Sequence, residues 1–146
     1  MIKIAVAQLT SSTDKKTNLA AGAKLMRQAR DGGADLIVFP EFLMAFSAAS
    51  QTASELAELA ESIEGPFVGE LCAVAKASGI ATVATIYERA PISNRVYDTA
   101  LWIDAAGKIL SMYRKLHLYD AFGFKESDKF HPGADIAPLT TFGDGR

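Results

Sequence analysis

Glu41, Lys115 and Glu126 are the residues whose types and settings suit proton transfer and the stabilisation of a developing oxyanion. Glu41 directly follows Leu36-Ile37-Val38-Phe39-Pro40, a short apolar run stopped by a proline. Such a run reads as a strand buried on both faces. In open α/β sheets, ligand crevices form at the carboxyl ends of these strands. A glutamate placed there among apolar neighbours is expected to hold its proton more tightly and to serve as a general base. The plainer alternative is a solvated loop glutamate. Lys115 lies in Tyr113-Arg114-Lys115-Leu116-His117-Leu118, where apolar and polar residues alternate. At a strand end it could face a buried carboxylate and offset charge on a reacting oxygen. A solvated edge-strand lysine that keeps strands of different molecules apart is the alternative. Glu126, in Gly123-Phe124-Lys125-Glu126-Ser127-Asp128, is a candidate second carboxylate in a loop that carries other acids.

The remaining reactive types carry less. His117 and His131 are the two histidines, and their spacing matches no zinc pattern, so no metal site is expected. His117 is read as a structural histidine holding its strand. Cys72, the single cysteine, shares a helical face with Val68, Leu71 and Ala75, so it is expected to act as a small core hydrophobe. No phosphate-binding loop, dinucleotide fingerprint or serine elbow occurs.

The elements that must position these groups follow from periodicity. Strands are expected over Ile2–Leu9, Leu36–Phe39, Ile80–Tyr87, Val96–Ile103 and Lys108–Met112. The last two are joined by a turn at Asp104-Ala105-Ala106-Gly107. Helices are expected over 15–30, 54–62 and 66–78, with candidate caps between Thr10 and Asp14 and Pro66 in a first turn. Strand–helix–strand order implies parallel crossovers, and the later hairpin adds antiparallel pairing, giving an α/β fold with a mixed sheet. The 146 residues suit one unit, 49% hydrophobic and with a net charge of −2, which argues against a disordered chain and against nucleic acid or an anionic membrane as main partner. No apolar run reaches the about 18 residues of a spanning helix, and a cytoplasmic location is the default expectation.

Taken in order, several of these segments resemble the nitrilase (carbon–nitrogen hydrolase) superfamily. They are Lys3-Ile4-Ala5-Val6-Ala7-Gln8-Leu9, Asn18-Leu19, Gly33-Ala34-Asp35-Leu36-Ile37-Val38-Phe39-Pro40-Glu41 and Tyr113-Arg114-Lys115-Leu116-His117-Leu118-Tyr119-Asp120, then Glu126-Ser127, Phe130 and Pro132-Gly133. The resemblance implies hydrolysis of a small-molecule amide, nitrile or carbamoyl compound through a glutamate–lysine–cysteine triad and a thioester, without a cofactor. It puts Glu41 on the general base and Lys115 on the group that steadies the tetrahedral intermediate. Glu126 falls in the region of an auxiliary carboxylate. The implied fold is a mixed-sheet part of a four-layer α-β-β-α sandwich, homo-oligomeric in the full-length form.

Two departures stand out. Asp98 occupies a position where the family usually has asparagine, with either a changed hydrogen bond near the site or no further consequence. The family's nucleophilic cysteine lies on a strand shortly after a stretch resembling Thr141-Phe142-Gly143-Asp144, and the sequence ends at Arg146. The expectation is a single hydrolase domain over residues 1–146, truncated at its C-terminus and inactive alone. A non-catalytic binding or regulatory protein that pairs with a complementary chain is the alternative.

Overall fold

The first helix begins where the sequence offers a cap. Asp14 accepts a hydrogen bond from the Thr17 backbone N–H at 2.8 Å and starts α1 (Lys15–Asp31). Residues 1–91 and 93–142 are described by the computed structural model. α1 lies between β1 (Ile4–Val6) and β2 (Leu36–Val38), which pair in parallel. A seven-residue helix, α2 (Ala53–Leu59), starts with a reciprocal capping box between Thr52 and Glu55. α3 (Pro66–Ser78) has its proline at the first turn and ends at Gly79, whose φ of 63° only glycine takes without strain. β3 (Ala81–Arg89) pairs in parallel with β2, while β4 (Val96–Ile103) and β5 (Ile109–Arg114) add antiparallel ladders. The result is a five-stranded mixed sheet in the order β1-β2-β3-β4-β5.

One face of that sheet is packed and the other is open. Ile37, Ala84, Ile86, Leu101 and Ile103 are at most 1% exposed and join Met26, Val68, Leu71 and Ala75 of α1 and α3 in one core. Burial of this kind is the main stabilising term, at about 25 cal/mol per Å² of apolar surface. Opposite, Ile4 and Val6 are exposed, and Val83 and Trp102 are only partly covered. The 137–140 segment lies against this face near Trp102 and Tyr113. The described residues thus supply one helical layer and one sheet layer.

Several expectations need correction. The first strand is three residues rather than Ile2–Leu9, because a strand lasts only as long as its ladder partner, and β2 offers three positions. β5 runs on to Arg114, because β4 continues to pair with it through Thr99. The stretch after Tyr113 contains a small hairpin, β6 (Asp120–Ala121) with β7 (Phe124–Lys125), followed by a short 3-10 turn, Glu126–Asp128. Its two loop residues, Phe122 and Gly123, both have positive φ, and a phenylalanine in that conformation gives no turn signal. His117 is exposed and lies outside any strand, so it holds none. Cys72 is half-buried at the rim of the core rather than within it.

Candidate active site

The strand–proline–glutamate sequence places Glu41 at the carboxyl edge of β2, and a buried loop fixes it there. Phe39 donates its N–H to the Val83 carbonyl of β3 at 2.9 Å. Thr85, also on β3, donates its hydroxyl to the Glu41 carbonyl. Immediately beyond, Leu43, Met44 and Ala45 are at most 1% exposed although they belong to no helix or strand. Buried loop carbonyls need donors. Asn18 of α1 donates to Met44 O at 3.2 Å, and the Tyr87 hydroxyl of β3 donates to Ala45 O at 2.7 Å. Asn18, Thr85 and Tyr87 therefore position the glutamate. Only Asn18 left a usable trace in the sequence, an amide on the apolar face of a helix.

Lys115 follows β5 directly. Its N–H donates to the Asp98 carbonyl at 2.9 Å, and its own carbonyl accepts from Gly133 N at 2.8 Å. Gly133 packs so closely that a Cβ there would lie 2.4 Å from Arg114 O, so the position requires glycine. On the other side of the strand, Arg114 pairs with the buried Glu88, which also accepts from Thr99 Oγ1 at 2.7 Å. That pair ties β3, β4 and β5 together next to the lysine.

The three carboxyl and amine groups singled out above converge. Lys115 Nζ donates to Glu41 Oε1 and to Glu126 Oε1, each at 3.0 Å. The Glu41 side chain remains 44% exposed and that of Lys115 29%, so a small molecule can reach both. Glu126 is held by the Tyr119 N–H, which donates to its second carboxyl oxygen at 2.6 Å. Asp98 of β4, 7% exposed, completes the cluster, close enough to Glu41 for each carboxyl to act on the other's proton affinity.

The electrostatics divide the carboxyls. Desolvation pulls the Glu41 carboxyl up, but the hydrogen bond with Asp98 and the Lys115 ammonium outweigh it and hold Glu41 below its ordinary value. The expected raised proton affinity at Glu41 is thus corrected: its partners win over its burial. Burial, and then the neighbouring Glu41, push Asp98 up to about 8. Burial alone would pull the Lys115 ammonium down, yet Glu126 and Glu41 raise it and keep it charged.

Cys72 stands apart from this cluster. Its carbonyl packs against Gly107 in the β4–β5 turn, whereas Asp98 lies near the other end of β4, roughly 20 Å away at about 3.3 Å per residue. Burial also raises its thiol above the usual range, which disfavours the nucleophilic thiolate. Within the 141–144 stretch singled out above, Gly143 and Asp144 lie outside the described residues. Among the described residues, no group of three or more His, Cys, Asp or Glu side chains is arranged to hold a metal ion. Nor is any helix of the described residues long and apolar enough to cross a membrane.

Two glutamates and one lysine thus meet at the carboxyl edge of the parallel strands of a mixed α/β sheet. The carbon–nitrogen hydrolase family model matches residues 3–144, and the chain belongs to that family. A Mycobacterium tuberculosis protein named as a hydrolase is 34% identical across 99% of this chain and 49% of its own length. The deaminated glutathione amidase of Escherichia coli O157:H7 is 33% identical across 93% of this chain and 50% of its own. The chain spans about half the length of these curated relatives. In fold it is similar to the amidase of Nesterenkonia sp. AN1, solved with acrylamide added at its active-site cysteine. That match has a TM-score of 0.79 at 24% identity and covers 98% of this chain and 54% of the amidase.

Proposed function

We propose that this chain carries the glutamate–lysine half of an amide-hydrolysing site, with Glu41 as general base and Lys115 as oxyanion stabiliser. The observation that carries the reading is the convergence of Glu41 and Glu126 on the Lys115 ammonium at 3.0 Å each. Glu41, held ionised, accepts the proton of an attacking thiol. The thiolate adds to the amide carbon, and Lys115 stabilises the oxygen as it becomes negative. Glu41 then returns the proton to the departing nitrogen, which leaves as ammonia or an amine. Water, deprotonated by Glu41, cleaves the thioester to the acid. Glu126 keeps the lysine charged and aimed between the two carboxylates.

The thiol comes from outside this sequence, because Cys72 is remote from the cluster and disfavoured as a thiolate. The open apolar face around Ile4, Val6 and Trp102 supports the same reading. It is where a second sheet layer would complete a four-layer sandwich in relatives twice as long.

The test is complementation. The chain alone is expected to release no ammonia from small amides in a thiol-dependent way. Combined with the carboxyl-terminal half of the Nesterenkonia amidase, it should do so, and Glu41→Gln should lower that rate by about 10²–10⁴-fold. Iodoacetamide-sensitive turnover by the chain alone, or full turnover by the complemented Glu41→Gln variant, would overturn the proposal.

A further inference from the structure

Three carboxyls and one ammonium share the cluster, and their surroundings differ. Glu41 and Glu126 each accept a hydrogen bond from Lys115. Asp98 accepts none from it: its Oδ1 is buried with no hydrogen-bond donor among the described residues, and its neighbour is the Glu41 carboxyl. Two ionised carboxylates cannot hydrogen-bond each other, since each offers only acceptors. A buried oxygen without a donor, set against a carboxylate, is satisfied when it carries a proton itself.

We propose that Asp98 is a positioning residue that keeps its proton and donates it in a hydrogen bond to the Glu41 carboxylate, leaving Glu41 ionised and aimed at the reacting centre.

The groups around Asp98 agree with this. Lys115, just past β5, is engaged by Glu41 and Glu126, so its charge is already matched. From β3, Tyr87 has its hydroxyl occupied by Ala45 O, and burial keeps it neutral. Glu126, from the 3-10 turn, adds a second negative charge that disfavours ionising Asp98. Burial is the largest influence and also favours the neutral acid. With Asp98 neutral, the cluster carries one net negative charge, and ionising Asp98 would make it two. A protonated aspartate has the shape and donor capacity of an asparagine at this point, with one difference: it can be switched off by base.

The inference takes Glu41's role as base from the proposed function, but its test reads protonation directly. Side-chain carboxyl carbons of the 146-residue chain are followed by NMR across pH. The Asp98 carboxyl carbon should titrate above about 6, some two units beyond an ordinary aspartate, and the Glu41 carbon should respond at the same pH. In Asp98→Asn, Glu41 should lose that alkaline response and keep its acidic midpoint within roughly half a unit. In Asp98→Leu, its midpoint should rise by about one unit as the donor disappears. A purely structural role would move neither Glu41 signal. An Asp98 midpoint at or below about 6 in the wild-type chain overturns the proposal, whatever the variants do. A catalytically dispensable Glu41 would sink the proposed function and leave the titration result standing.

Discussion

The segments carrying Glu41 and Glu126 reach the same ammonium by different means. Glu41 rides on a loop that behaves as core: Leu43, Met44 and Ala45 are sealed, and the Met44 and Ala45 carbonyls are served by α1 and β3. Glu126 lies in the 3-10 turn just after a surface hairpin whose loop residue Phe122 is 93% exposed. It is fixed by short-range bonds: Tyr119 N–H to its carboxyl, its own N–H to Tyr119 O, and Ser127 to Asp120. The difference teaches that the base sits on a sealed segment of the fold, whereas the auxiliary carboxylate itself is aimed mainly by neighbours within seven residues, with Arg95 to Ser127 O as a longer tie. Local modules of this kind open more readily than core segments.

That contrast can be broken at several points. The largest effect is expected from Leu43→Ala, which empties a fully buried site and should cost about 2–5 kcal/mol in denaturant unfolding. Asn18→Ala removes the donor to Met44 O and leaves loop carbonyls unserved, for a loss of about 1–3 kcal/mol. Phe124→Ala, in the exposed hairpin, should stay within about 0.5 kcal/mol. If Phe124→Ala costs as much as Leu43→Ala, the two segments are equally part of the core and the contrast fails. Amide exchange sharpens the same point: amides of 43–45 should exchange far more slowly than those of 120–125.

Stability should also depend on pH through Asp98. Its carboxyl lies near 3.8 when unfolded and is pushed up to about 8 when folded, so the folded state binds the extra proton between those values. Its contribution is therefore fully present below the lower value and is lost as pH rises through the upper one. Thermal unfolding midpoints should fall across that window, and Asp98→Asn should flatten the fall. An unchanged slope in the variant would assign the pH dependence to other groups.

Much of this arrangement was legible in the residues. The strand ending in Pro40-Glu41, the helix boundaries at Asp14 and Gly79, and the β4–β5 turn each carry a local signal in hydrophobic period, cap or glycine. The lysine segment was legible as a motif, although not as a contact with Glu41. Less visible was the support of the 41–45 loop, because Thr85 and Tyr87 look like ordinary strand residues and their partners lie more than forty positions away. The Phe122–Gly123 hairpin was hidden because phenylalanine is a poor marker of a left-handed turn.

By itself, then, the sequence determined which side chains are available and which strand ends present them, because burial period and punctuation act over a few residues. The tertiary structure decided what those side chains are electrically. Burial alone would have raised Glu41, but packing set Asp98 against it and Lys115 over it, so the proton moved to Asp98. Proton affinity is fixed by solvent exclusion and by charges a few ångströms away, and those neighbours are assembled from β2, β4 and the segment after β5 only when the chain folds.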